Sequence, residues 1–296
     1  MEILLWIAQN LVQAFGNIAY AITHPGLWLN WSDPQSVLRF VYYGGSVEFF
    51  FAVFLVLIIL TAIGIWKNSI MWGVVRGLEA FGNTVGRFAA WAGLLMVVQQ
   101  IVIIFMQRIF TRVDLSFGVG APVTFDISWW AEELKLYNAI IVCLACAYTF
   151  VQGGHVRVDL VYSVVSYRKR KIIDMIGSLI FMIPTAVVVW MYGWYFMWRH
   201  LINPPVSASD TLDRMLAKSR AFRWSVETIG FSPNGFNGYF LFKVLIVLFA
   251  GMIFLQAVAF FYRSYLELRE GPESEGKYLD KDKLGDEEAE LVANIH

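Results

Sequence analysis

Charged residues are scarce in this sequence. Asp, Glu, Lys and Arg make up 16% of its 296 residues, where a soluble domain carries about a quarter. Set against 58% hydrophobic and 17% aromatic residues, that scarcity excludes a soluble globular domain and points to an all-α integral membrane protein. The 23 basic and 23 acidic residues cancel, so no excess of positive charge is available for a nucleic acid partner. Cysteine is nearly absent. Cys143 and Cys146 lie three apart in an apolar segment, which is neither a disulfide framework nor a metal site with enough ligands, and they read as small packing residues. The four histidines, His24, His155, His200 and His296, fall in predicted loops or the tail, so no pair can clamp a haem inside the bilayer. A Gly-x-x-x-x-Gly-Lys phosphate loop is missing, which argues against an ATP-driven pump. Neither a ladder of carboxylates crossing several spans nor an inverted repeat with broken helices is visible. No cofactor and no metal are expected.

What is present is a series of long apolar runs. Crossing ~30 Å of hydrocarbon takes roughly 20 mostly apolar residues, and lipid leaves the backbone no partner but itself, so each crossing must be helical. Five runs meet the requirement, at 40–66, 88–107, 129–151, 172–198 and 239–262. Pro184 removes one backbone hydrogen bond from the fourth and predicts a kink near Ile180. Trp190, Trp194 and Trp198 recur every four residues on one face of the same helix and resemble an interfacial aromatic belt. Residues 1–22 carry one charge, Glu2, with Gln9, Asn10, Gln13 and Asn17 on one helical face, so they either span or lie in the interface, and a span is the expectation. They lack the basic region of a removable signal peptide.

Lys and Arg in the connections set the orientation. Residues 67–87 hold Lys67, Arg76 and Arg87, and 153–171 hold Arg157, Arg168, Lys169, Arg170 and Lys171; both stretches are expected on the cytoplasmic side. Residues 108–133 carry Arg108 and Arg112 against Asp114, Asp126, Glu132 and Glu133 and fit the outer side, and 199–238 must share it. The tail from residue 266, rich in Asp and Glu, is expected to be cytoplasmic and disordered.

Charges also mark the ends of the spans. Arg108 and Glu132 or Glu133 should lie at one outer depth, where they either pair or snorkel separately to water. Arg157 and Asp159 could order the turn after the third span, with Arg168 to Lys171 either binding anionic lipid heads or only fixing topology. Lys243 either snorkels or meets Glu227. Glu48 reads as a boundary residue beside Gly44-Gly45 and not as a proton-coupling group.

In their order these residues are similar to the small membrane subunit, DctQ-like, of tripartite ATP-independent periplasmic (TRAP) transporters. The resemblance covers about 82–265 and rests on Gly86-Arg87 with Ala90-Trp91, Gln107-Arg108-Ile109-Phe110, Trp130-Ala131-Glu132-Glu133, and the turn Gly153-Gly154-His155-Val156-Arg157-Val158-Asp159-Leu160. It ends on Glu227, Ser232, Lys243 and Leu255-Gln256. It implies a four-helix core at 88–265, preceded by one or two extra helices within 1–66 and a cytoplasmic linker at 67–87, and followed by the acidic tail 266–296.

The resemblance also implies a role that is not enzymatic. In that family a periplasmic substrate-binding protein delivers an organic acid, commonly a carboxylate. A large membrane subunit of elevator type moves it inward on a sodium gradient, and the small subunit packs beside the large one as a scaffold. Arg108, Glu132, Glu133, Glu227, Lys243 and Gln256 are then candidates for subunit-interface or structural roles. The cytoplasmic turn and lipid-head candidates are His155, Arg157, Asp159 and Arg168 to Lys171. The expected partners are the large subunit, the binding protein and phospholipids, in a bacterial inner membrane. Two other readings are open: a membrane anchor for an oxidoreductase, and a small transporter that works alone.

Overall fold

The computed structural model describes residues 2–118, 123–153, 164–227 and 235–281. It is an all-α membrane protein. Four helical stretches, Val47–Trp66, Asn68–Ile109, Tyr167–Arg199 and Tyr239–Glu270, are long and apolar enough to cross a bilayer, and a fifth crossing forms if the bent pair Trp130–Leu144 and Cys146–Gln152 acts as one.

The first helix, α1 (Glu2–Thr23), is not among them. Its only buried residue is Ala14, which packs with Ile7, Leu11 and Ile18 against Phe51 and Leu55. The polar face carrying Gln9, Asn10, Gln13 and Asn17 lowers its apolar content, so the expected span of residues 1–22 draws no support from its hydropathy.

The run 40–66 is two helices and not one. Helix α2 (Pro34–Gly44) begins at Asp33, whose carboxylate accepts from the amides of Gln35 and Ser36, and α3 (Val47–Trp66) begins at Ser46, whose hydroxyl accepts from Phe49 N. A helix end leaves its last carbonyls without intrahelical donors. Here other side chains supply them: Trp190 Nε1 donates to Gly44 O at 2.8 Å, Trp194 Nε1 to Val41 O at 2.7 Å and the Tyr195 hydroxyl to Tyr42 O at 3.0 Å. The rings lie so close that a Cβ on Gly44 or Gly45 would collide with Trp194 or Tyr195. The tryptophan ladder is therefore no lipid-facing belt; Trp194 and Trp198 are 7% and 6% exposed, within a core that also holds Val37, Leu38, Val41 and Met215.

Residues 67–87 are helical as well. Lys67 is the single residue between α3 and α4 (Asn68–Ile103), and α4 runs for 36 residues before a wider π turn at Ile104–Ile109. At 1.5 Å per residue α4 is about 54 Å long, well beyond the hydrocarbon thickness. Its polar first half can carry Arg76, Glu79, Asn83 and Arg87 outside the apolar layer without ending the helix.

The third span bends by 49° between α5 (Trp130–Leu144) and α6 (Cys146–Gln152). Gly82 and Gly86 of α4 receive this elbow: a Cβ on Gly82 would stand 3.1 Å from Ala147 Cβ, and one on Gly86 would overlap Tyr148. Small residues spaced by four let two membrane helices approach this closely. In the fourth span α7 (Tyr167–Gly177) passes through a π turn at Ser178–Met182 into α8 (Ile183–Arg199), so the irregularity falls on Ile180, four residues before Pro184, where the proline ring excludes the usual backbone bond. The connections before α5 and after α8 add two short ribbons, β1 (Asp114–Phe117) with β2 (Val123–Asp126) and β3 (Ile202–Asn203) with β4 (Arg223–Trp224), and the short helix α9 (Leu212–Ala217).

The last helix, α10 (Tyr239–Glu270), continues past the expected start of the tail, with Leu266 fully buried. After Gly271 the chain folds back along the bundle as far as Lys281, so the first part of the predicted disordered tail is a packed strap. The remainder of the acidic tail, 282–296, lies outside the described residues.

Candidate functional site: charged clusters at the two ends of the bundle

At the end formed by the start of α4, the end of α10 and the strap, four charges are buried together. Glu79, Lys171, Arg263 and Glu267 are each less than a tenth exposed. Arg263 grips Glu79 with two parallel bonds, Nε to Oε1 at 2.7 Å and Nη2 to Oε2 at 2.5 Å, and donates through Nη1 to Lys277 O at 2.9 Å. Lys171 Nζ lies 2.6 Å from Glu267 Oε2 and 3.0 Å from Glu275 Oε1. Two positive and two negative groups thus cancel in a poorly solvated place, and the planar guanidinium fork matches a carboxylate.

The strap closes over this cluster. Gly276 N donates to Glu267 Oε1, Trp72 Nε1 donates to Glu270 Oε1, and the Tyr167 hydroxyl sits between Glu267 O and Gly271 O. Its far end is held at Asp280. Asn83 Nδ2 donates to both Asp280 O and Oδ2, Gln152 Nε2 donates to Asp280 O, and Arg87 pairs with the carboxylate at 3.1 Å. The Arg87 guanidinium, then the Asn83 amide, hold the Asp280 carboxyl below the usual aspartate range.

The sequence pattern does not reveal this cluster. Glu79 falls in the stretch 67–87 expected as a cytoplasmic linker, and Arg263 and Glu267 fall after the last apolar run, where the tail is expected to begin. The one local signal was the spacing of Arg263 and Glu267, one helical turn apart, and nothing along the chain joins them to Glu79, 184 residues away. Of the four expected lipid-head residues, Arg168 and Lys169 are exposed and Arg170 is half-buried with Nε bonded to Val165 O. Lys171 is turned inward, because Glu267 offers it a carboxylate in the core. His155, Arg157 and Asp159 lie outside the described residues.

At the opposite end the acidic opening of α5 is tied to two helices. Glu132 accepts from the Tyr239 hydroxyl at 2.8 Å, joining α5 to α10. Glu133 accepts from Gln99 Nε2 at 2.9 Å and from the Tyr137 hydroxyl at 3.1 Å, joining α5 to α4. Arg108 is exposed and forms no ion pair among the described residues, so of the two alternatives the pairing with a glutamate is not formed there, and Gln99 ties Glu133 to α4 instead. Lys243 and Glu227 do form an ion pair, with His200 Nε2 4.0 Å from the same Glu227 oxygen and the ring of Phe196 5.3 Å from the ammonium. This pair binds the end of α8 and the start of α10 to the segment after β4.

Gln256 is 3% exposed in the middle of α10, against Gly82 of α4, and its Oε1 has no hydrogen-bond partner among the described residues. Among those residues no group of three His, Cys, Asp or Glu side chains converges as metal ligands do. What these clusters can do chemically is tie helices together and present charge at the bundle ends.

Residues 101–210 match the family model of tripartite ATP-independent periplasmic transporters, DctQ component. The matched stretch begins near the end of α4 and runs through the α5–α6 elbow and the fourth span to the segment before α9. No curated protein and no solved structure matches the chain.

Proposed function

We propose that the chain is the small permease subunit, the DctQ component, of a tripartite ATP-independent periplasmic transporter, whose family model its residues 101–210 match, and that it serves as the scaffold of that transporter. In this reading it holds a large membrane subunit that moves an organic acid, a carboxylate, inward on a sodium gradient, after delivery by a periplasmic binding protein. The family match carries the reading. The placement of charge supports it: the buried ionisable groups sit at the ends of the bundle, engaged with one another, where they rigidify helices and line no path through the bilayer. The protein lies in a bacterial inner membrane with the strap end cytoplasmic, and Arg168 and Lys169 meet anionic lipid heads there. Arg108, which forms no ion pair among the described residues, and the Glu227–Lys243 pair are the groups offered to neighbouring subunits at the outer end.

The test is gentle purification of the tagged protein from its native host, with mass spectrometry of what accompanies it. A much larger polytopic protein in constant proportion is the expected companion. Recovery of the chain alone, or with a redox enzyme, would overturn the reading.

A further inference from the structure

Beside the α2–α3 break lies a cavity of about 570 Å³ that the charged clusters do not use. Its floor and walls come from two spans: Val47 and Glu48 at the start of α3, and Val187, Val188 and Met191 from α8. The segment around Asp210 forms the roof, and Tyr42, Tyr192 and Tyr195 supply aromatic surface. Val47, Val188 and Tyr192 are 41%, 54% and 78% exposed on the bilayer flank of the bundle, so the cavity opens sideways where lipid stands.

The charged groups around it are engaged, with one exception among the described residues. Asp210 is neutralised by Lys218 at 2.6 Å and accepts from Ser207 N at 2.9 Å. The Tyr195 hydroxyl is committed to Tyr42 O, and the Ser46 hydroxyl to Tyr43 O. Glu48 has no hydrogen bond and no ion pair among the described residues. It stands in the first turn of α3, where the positive end of the helix dipole attracts negative charge. The cavity therefore presents one uncompensated negative charge, tyrosine faces that attract a cation, and hydrocarbon walls that continue into the bilayer.

We propose that this cavity binds an aminophospholipid, with its primary ammonium on the Glu48 carboxylate and its chains running along Val187, Val188 and Met191. A soluble amine would leave the apolar walls uncovered. A phosphatidylglycerol head would bring a net negative charge to Glu48, and a choline head has no N–H to donate. The inference rests on the cavity alone and does not depend on the transporter role.

The experiment is native mass spectrometry of the purified full-length chain, exposed to equal amounts of phosphatidylethanolamine, phosphatidylcholine and phosphatidylglycerol with identical acyl chains. The wild-type protein should retain phosphatidylethanolamine roughly tenfold over the other two, the worth of a charge-assisted hydrogen bond. Glu48→Gln should erase that preference, and Met191→Trp, which fills the cavity and keeps the carboxylate, should lower retention of all three. Equal retention by the wild-type protein, or a preference that survives Glu48→Gln in a folded sample, overturns the proposal. So does displacement of the lipid by free ethanolamine at equal concentration, which would assign the site to a soluble amine. If Glu48→Gln does not fold, Met191→Trp decides: undiminished lipid retention would place the lipid elsewhere.

Discussion

Glu79 and Arg263 meet across 184 residues of chain, both less than a tenth exposed, with Lys277 O and Glu267 facing Nη1 of the guanidinium. Removing one partner of such a pair leaves the other charge buried and uncompensated, which costs about 3–5 kcal/mol, whereas replacing both with apolar residues of similar volume is close to neutral. Glu79→Ala and Arg263→Ala should each lower stability by about that much, and the double variant Glu79→Leu/Arg263→Met should recover most of the loss. Equilibrium unfolding in detergent measures both; a single variant as stable as the wild type would contradict the assignment. The two glycine types on α4 give a second contrast. Gly86→Ala forces a methyl group into Tyr148 and should cost about 1–3 kcal/mol. Gly73→Ala meets nothing within 4 Å, and since alanine favours the helix it should be neutral or stabilise by up to ~1 kcal/mol. The same unfolding series separates them.

The strap is the element whose behaviour follows most directly from its contacts. A chain ending after Gly271 loses the bonds from Arg263 to Lys277 O and from Asn83 to Asp280, and uncovers the charges beneath. Limited proteolysis should cut that shortened protein faster at the end of α10 than a chain ending after Lys281, which keeps every one of those contacts. Equal cleavage would mean that the strap protects nothing. The strap is also sensitive to acid. The Asp280 carboxyl is held below its ordinary value of 3.8 by Arg87 and Asn83, so it binds its proton less readily folded than unfolded. The stabilisation is complete above the unfolded value and is lost as the pH falls through the lower folded one. The protection of amides 271–281 against hydrogen exchange, taken relative to their intrinsic rates, should be flat near neutrality and fall only below about pH 4, and Asp280→Asn should abolish that fall. The α2–α3 break shows why some elements were legible and others were not. Gly44-Gly45 and Ser46 are turn and cap residues visible in the chain, yet the apolar run across them reads as one span, because the carbonyls that end α2 are satisfied by Trp190, Trp194 and Tyr195 from a helix far along the sequence.

For the whole molecule the charges at the end of the bundle where α5 begins divide into two kinds. Glu133 is occupied within the chain by Gln99 and Tyr137, while Arg108 is exposed and forms no ion pair among the described residues. Arg108→Ala should therefore reduce co-purification of the large subunit while leaving the stability of the isolated chain within ~0.5 kcal/mol. Glu133→Ala should lower both, by about 1–3 kcal/mol in the isolated chain, because two donors lose their acceptor. Both variants should still insert into the membrane. Loss of transport with assembly intact in either would break the scaffold reading.

The amino-acid pattern alone determined that this is an all-α membrane protein with charges at its span boundaries. Hydrocarbon imposes helix on any long apolar run, and that rule needs no knowledge of neighbours. It also placed the irregularity at Ile180, since a proline acts on its own turn. Tertiary structure alone decided where a helix ends against another helix, which charges point inward and what the tail does. Trp194 turned from an expected lipid-facing belt into a donor for Val41 O, Lys171 turned from lipid heads to Glu267, and the tail up to Lys281 became a strap. Each of these outcomes is a choice of partner, set by which donors and acceptors three-dimensional packing brings within reach, and sequence spacing carries no record of it.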